Sequence, residues 1–135
     1  MKKRTVGISD MSVYIPSARV SLDSILHRRA TEDPSFERRL RRAIESTNQV
    51  AVRFTRRWQD PVTLAAQAGR ELLLRSDTAP TVRYVGVGTE SSVDMSKPIA
   101  AYAHGALQCS GIPLPRELST FQVQHACAGG TIAMM

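Results

Sequence analysis

Cysteine and aromatic residues are scarce in this chain of 135 residues, which has two Cys, one Trp, three Tyr and three Phe. A secreted disulfide scaffold of this length normally carries more cysteine, so the composition points to a reducing compartment, the cytoplasm. Metal-ligand spacing is missing too. His27, His104 and His125 are scattered, Cys109 and Cys127 stand apart, and no metal site is expected. No apolar run approaches the roughly 18 residues that a membrane-spanning helix needs, so no membrane partner is expected. The basic start Met1-Lys2-Lys3-Arg4 leads to Asp10 rather than to an apolar segment with a cleavage site, which argues against a signal peptide. No internal repeat is visible. Hydrophobic residues at 42% and charged residues at 22% suit an ordinary folded domain and exclude wholesale disorder. The length allows one domain at most.

What is abundant is arginine. The formal net charge is +6, and the excess is concentrated between Arg28 and Arg57, where Arg38, Arg39, Arg41 and Arg42 form the densest group. One reading is a solvated, salt-bridged helix face. The other is a docking surface for an anionic partner, since the planar guanidinium binds two oxygens at once. Nucleic acid is not expected, because no groove-reading motif or aromatic-and-basic stacking pattern accompanies the charge. A phosphorylated cofactor or an acidic carrier protein fits better.

Along the chain, Val6 to Ile15 reads as a first strand closed by Pro16 and Ser17. Ser21 opens a helix with Leu22, Ile25 and Leu26 at helical spacing, and Asp33-Pro34 breaks it. A second helix is predicted from about Ser35 to Glu45, with Phe36, Leu40, Ala43 and Ile44 inward. Ser46 to Trp58 has no clear period and is read as a surface crossing. Asp60-Pro61 starts an alanine-rich helix, because Asp caps well and Pro at the first helical position loses no hydrogen bond. Val82 to Gly88 is the strongest strand. A helix beginning near Ser96 to Pro98 carries Ile99, Ala103, Ala106 and Leu107, and Thr120 to Gln124 is a short strand. Strands separated by helices indicate an α/β layered fold with a mixed or parallel sheet. Gly129 to Met135 is apolar with neither cap nor polar tail, so the chain is read as part of a larger fold completed by more polypeptide or by a second chain.

Two residues stand out chemically. Cys127 lies between Ala126 and Ala128, after a short strand and at the head of a helix, where backbone N–H groups and the helix dipole favour a thiolate nucleophile. Ala128, Gly129 and Gly130 leave room for a thioester. The alternative is a buried, inert cysteine. Glu90 follows the strong strand. A carboxylate at the C-terminal end of a strand is placed for a cleft, where partial burial would suit it to acid–base work. The alternative is a turn carboxylate or a helix cap.

Gly88-Thr89-Glu90-Ser91-Ser92-Val93-Asp94-Met95-Ser96-Lys97, followed later by Ala126-Cys127-Ala128-Gly129-Gly130-Thr131, resembles the hydroxymethylglutaryl-CoA synthase family. That family uses a G-T-E-S-x-x-D-x-S-K segment and an A-C-x-x-x-T segment. Val6-Gly7-Ile8 to Tyr14-Ile15-Pro16 is similar to the family's first strand. The resemblance covers nearly the whole chain and implies a thiolase-like layered fold, of which residues 1–135 supply most of the first half. It implies that Cys127 takes an acetyl group from acetyl-CoA or from an acyl carrier's phosphopantetheine arm, with no permanently bound cofactor. Glu90 would be the base that removes a methyl proton, and the enolate would attack an acetoacetyl-type acceptor. The charge density of Arg28 to Arg57 departs from ordinary synthases; from their own chemistry rather than from the resemblance, Arg38, Arg39, Arg41 and Arg42 are expected to help dock the phosphorylated donor. The family's catalytic histidine belongs to its later half, so His125 is read as a packing or interface residue. The oxyanion hole would combine the Cys127 N–H with a donor from the completing half. A homodimer of complete folds is expected. The glycine-rich segment after the cysteine also resembles some ketoacyl synthases. The alternatives are therefore another acyltransferase of the same fold, or a non-catalytic thiolase-like subunit that binds an acyl carrier protein.

Overall fold

A computed structural model describes residues 6–135; the basic start Met1–Arg4 lies outside them. The chain divides into two compact units. Ile15–Trp58 forms one, and residues 6–14 with Gln59–Met135 form the other.

In the first unit, strand β1 (Arg19–Ser21) pairs antiparallel with β2 (Ala51–Arg53), Val20 opposite Val52. Between them run helices α1 (Leu22–Glu32) and α2 (Pro34–Thr47), which pack on each other. Ser21 caps α1, its hydroxyl accepting from the Ser24 N–H at 3.1 Å. Asp33 serves both helices. Its N–H donates to the Arg29 carbonyl at 2.8 Å, closing α1, and its carboxylate accepts from the Ser35 N–H at 2.9 Å, opening α2 with Pro34 in the first turn. Asn48 ends α2 in the left-handed region at φ 53°, which its short polar side chain tolerates.

In the second unit, helix α3 (Pro61–Leu74) starts at the expected Asp60-Pro61. Asp60 and Thr63 form a reciprocal capping box: the Asp60 carboxylate accepts from the Thr63 N–H at 2.8 Å, and the Asp60 N–H donates to the Thr63 hydroxyl at 2.8 Å. Strand β3 (Tyr84–Thr89) pairs parallel with β4 (Ser119–Gln124), and helix α4 (Ile99–Cys109) makes the crossover. Helix α5 (Gly129–Met134) packs on both strands. The core gathers Ala79, Leu107, Ile112 and Leu114, against which Ala66, Leu73, Val82 and Leu118 pack. Helix α3 packs on α4 at Gly69, where even a Cβ would be in ordinary contact with the Leu107 side chain at 3.4 Å.

Several expectations need correction. Val6 to Ile15 forms no strand, and its apolar side chains stand in solvent, Val6 at 99% and Ile8 at 74% exposure. An alternating segment becomes a strand only where a neighbouring edge accepts its hydrogen bonds, and none among the described residues does. Conversely, the stretch read as a bare crossing contains β2, whose three residues are too few to show a period. On α2, Leu40 and Ile44 are half-buried, but Phe36 and Ala43 are exposed. On α4, Ile99, Ala100, Ala103 and Leu107 are buried, whereas Ala106 is exposed.

Candidate active site

Parallel pairing decides where the two candidate residues lie. Thr89, the last residue of β3, stands opposite Gln124, the last residue of β4. Glu90 is the next residue after β3, and Cys127 lies in the 3-10 turn Ala126–Ala128 just after β4. Both therefore emerge at the carboxyl edge of one strand pair, the edge where open α/β sheets place ligands. Cys109 ends the crossover helix, which runs back from that edge, and so lies at the opposite end of the layer.

Two glycines bring these segments into contact. A Cβ on Gly88 would run into the backbone of Gly129 and Gly130. A Cβ on Gly129 would meet the Val123 carbonyl at 3.1 Å and the Thr89 nitrogen at 3.2 Å. The first turn of α5 therefore rests directly on β3. The structure gives Gly129 a different role from making room for a thioester: it is buried against the strand, while Gly130 has open space around it. Ala126, immediately before Cys127, has φ 33°. A non-glycine residue in that region carries backbone strain, held here by the close seating on either side. The turn is closed by the Ala128 N–H donating to the His125 carbonyl at 3.0 Å.

Cys127 is exposed in this chain. Glu90 is exposed as well, so the partial burial expected for it is not supplied by the described residues. Nor does it cap a helix, because α4 has Pro98 at its cap position and no side-chain cap. His125 is exposed rather than packed. His104 is structural, its Nε2 lying 2.9 Å from the Pro115 carbonyl oxygen.

The loop after Glu90 is organised by residues whose role emerges only in three dimensions. Asp94 Oδ1 accepts from the Ser96 and Lys97 N–H groups at 2.7 and 3.2 Å, and its Oδ2 accepts from the Tyr102 hydroxyl at 2.7 Å. The Tyr102 bond, followed by those two amides, holds the Asp94 carboxyl below its ordinary value, and the same bond raises the Tyr102 phenol. The Lys97 ammonium lies 4.2 Å from the Tyr102 ring centroid, a cation–π contact. Gln122 on β4 accepts from the Ile99 N–H at 2.8 Å and so ties the start of α4 to the sheet. An Asp followed by Ser-Lys-Pro is a recognisable turn signal, but nothing local announces Tyr102 or Gln122 as partners.

Arg38, Arg39, Arg41 and Arg42 lie on α2, in the other unit. Arg41 is paired with Glu37 at 3.0 Å, and Arg28 and Arg29 are paired with Glu32 at 3.5 and 2.9 Å. Among the described residues no three His, Cys, Asp or Glu cluster as metal ligands, and no helix is long and apolar enough to cross a membrane.

A parallel β-α-β layer carrying a cysteine turn and a glutamate at one edge is part of a thiolase-like α/β fold. The chain resembles the hydroxymethylglutaryl-CoA synthases over almost its whole length. It is 28% identical over 130 residues to hydroxymethylglutaryl-CoA synthase of Enterococcus faecalis, which covers 96% of this chain and 30% of that protein. It is 31% identical over 131 residues to hydroxymethylglutaryl-CoA synthase of Caldivirga maquilingensis, covering 96% of this chain and 34% of the relative. A solved structure of MvaS in complex with 3-hydroxy-3-methylglutaryl coenzyme A superposes with a TM-score of 0.76 at 34% identity, over 98% of this chain and 29% of that one. No protein-family model matches. The chain thus spans about a third of the length of the curated relatives it matches.

Proposed function

We propose that this chain supplies most of the first half of a condensing acyltransferase of the hydroxymethylglutaryl-CoA synthase type, completed by further polypeptide. The observation that carries the reading is the register of β3 and β4, which sets Glu90 and Cys127 at one edge. The Cys127 sulfur attacks the acetyl thioester of coenzyme A or of a carrier's phosphopantetheine arm. An S–C bond forms, the donor's S–C bond breaks, and the donor thiolate leaves and takes up a proton. Glu90 removes a proton from the methyl group of acetyl-Cys127, which the thioester makes acidic. The resulting enolate forms a C–C bond to the ketone carbon of an acetoacetyl-type thioester, and the alkoxide is protonated. Water then cleaves the Cys127 thioester, leaving a free carboxylate and restoring the thiol. Covalent attachment holds the enolate beside its acceptor.

The completing half supplies a histidine and an oxyanion donor, and two complete folds pair as a homodimer. The two free cysteines fit a cytoplasmic location. A glutamate in the strand-end motif favours this chemistry over ketoacyl synthesis. The test uses the complete polypeptide with acetyl-CoA and acetoacetyl-CoA. Mass spectrometry should place one acetyl group on Cys127, and Cys127→Ser should remove it. Glu90→Ala should keep acetyl-Cys127 and lose condensation. A label on Cys109, or equal loss of both steps in Glu90→Ala, would overturn the assignment.

A further inference from the structure

We propose that one face of α2, formed by Ser35, Arg38, Arg39 and Arg42, docks the acidic face of a partner protein. The proposal stands apart from the condensing chemistry. These four residues recur at i, i+3, i+4 and i+7, so they line one side of the helix. With Pro34 they border a groove of about 490 Å³. The half-buried Glu37, Leu40 and Ile44 lie on other sides of the helix, Leu40 and Ile44 opposite the stripe.

The structure divides an arginine cluster that looks uniform in the sequence. Arg41, Arg28 and Arg29 are each paired with a carboxylate of their own helix, at 3.0, 3.5 and 2.9 Å. Among the described residues no carboxylate pairs with Arg38, Arg39 or Arg42. Their side chains are exposed, and Glu45, one turn beyond Arg42, forms no ion pair with them.

The shape of the surface selects the partner. Every residue around the groove comes from a single helix, so no second element walls it, whereas small-ligand sites are concave and enclosed. Ser35 to Arg42 covers about 10 Å along the axis at 1.5 Å per residue. A facing acidic helix presents carboxylates at the same pitch and meets all three guanidiniums, while a compact phosphate meets one or two. No aromatic ring shares the stripe, so single-stranded nucleic acid finds no stacking platform there.

The test measures binding of a fluorescein-labelled glutamate-rich helical peptide to the complete polypeptide by anisotropy. Inorganic pyrophosphate and a single-stranded RNA oligonucleotide serve as competitors. Reversing Arg38, Arg39 and Arg42 to Glu should weaken binding by about tenfold or more at low salt, with the difference shrinking as salt is added. The charge-matched reversal of Arg28, Arg29 and Arg41 should change binding by less than about twofold, because none of the three lies on the stripe and each already holds an ion pair, Arg28 and Arg29 sharing Glu32 and Arg41 with Glu37. Arg38→Gln, Arg39→Gln and Arg42→Gln together repeat the test without introducing repulsion, and circular dichroism checks that α2 persists in each variant. Equal effects of the two triple reversals would overturn the proposal, as would no effect of the Gln triple. Displacement of the peptide by pyrophosphate at lower concentration than by unlabelled peptide would reassign the face to small phosphates. The same result with RNA would reassign it to nucleic acid.

Discussion

The contact between Gly88 and the first turn of α5 makes the proposed site sensitive to a single methyl group. In Gly88→Ala, the added Cβ overlaps the Gly129 and Gly130 backbone. Backbone cannot rotate out of the way as a side chain can, so α5 or β3 must move. Restoring ordinary contact needs a displacement of about 1 Å, and misplacing reacting groups on that scale costs about a hundredfold in rate. Overpacking of this kind also destabilises by about 1–3 kcal/mol. Two neighbours provide an internal scale. Gly129→Ala brings its Cβ to 3.1 Å from the Val123 carbonyl and 3.2 Å from the Thr89 nitrogen, which asks for a few tenths of an ångström and an intermediate loss. Gly130→Ala meets nothing within 4 Å, and replacing glycine in a helix by alanine stabilises by about 0.5–1 kcal/mol. The assay is the rate of Cys127 acetylation by acetyl-CoA in the complete polypeptide, paired with thermal unfolding of each variant. The expected order of loss is Gly88→Ala, then Gly129→Ala, then Gly130→Ala with none. If Gly88→Ala acetylates and melts like Gly130→Ala, β3 and α5 do not touch as described and the construction of the site is wrong.

Asp60→Ala removes the carboxylate half of the α3 capping box and should cost about 1 kcal/mol, read as a lower urea midpoint at unchanged slope. The hydrogen bond from the Thr63 N–H lowers the Asp60 carboxyl. Its stabilisation is therefore present above the unfolded value of 3.8 and lost as pH falls through the lower folded value; a mutant deficit that persists unchanged in stronger acid would contradict this. Tyr102→Phe removes the largest cause of the Asp94 shift, so carboxyl-detected NMR should show Asp94 titrating closer to 3.8, and an unmoved titration would exclude that bond. Expressed alone, residues 1–135 should bind a hydrophobic dye and melt without a sharp transition. Val6, Ile8, Met11, Val13, Ile15, Met134 and Met135 are exposed, and only Leu26 is buried in the first unit among the described residues. A cooperative transition at monomer mass would refute this.

The features legible along the chain are local ones. The caps at Ser21 and Asp60 were legible because a capping side chain bonds backbone within three residues, so the information lies side by side in the chain, whereas Asp33 was legible only as a break and proved to cap the second helix. Strands β3 and β4 fell within two residues of their expected limits, since Val82 to Val87 and Thr120 to Val123 are β-forming whatever they pair with. The two candidate site residues were visible in the same way, each beside its own strand end. Features that need a distant partner were settled by packing. The apolar alternation of Val6 to Ile15 became no strand for want of an edge, while Arg19–Ser21 and Ala51–Arg53 became strands because each found the other. Gly88 and Gly129 are ordinary glycines in the sequence and a backbone contact in the fold. Asp94 found Tyr102 one helix turn into α4, and Gln122 reached Ile99 across the layer. Likewise, four arginines of equal standing in the chain became one paired to Glu37 and three left facing outward. A side chain's neighbours in space are set by packing, and packing is a property of the whole chain rather than of any short stretch of it.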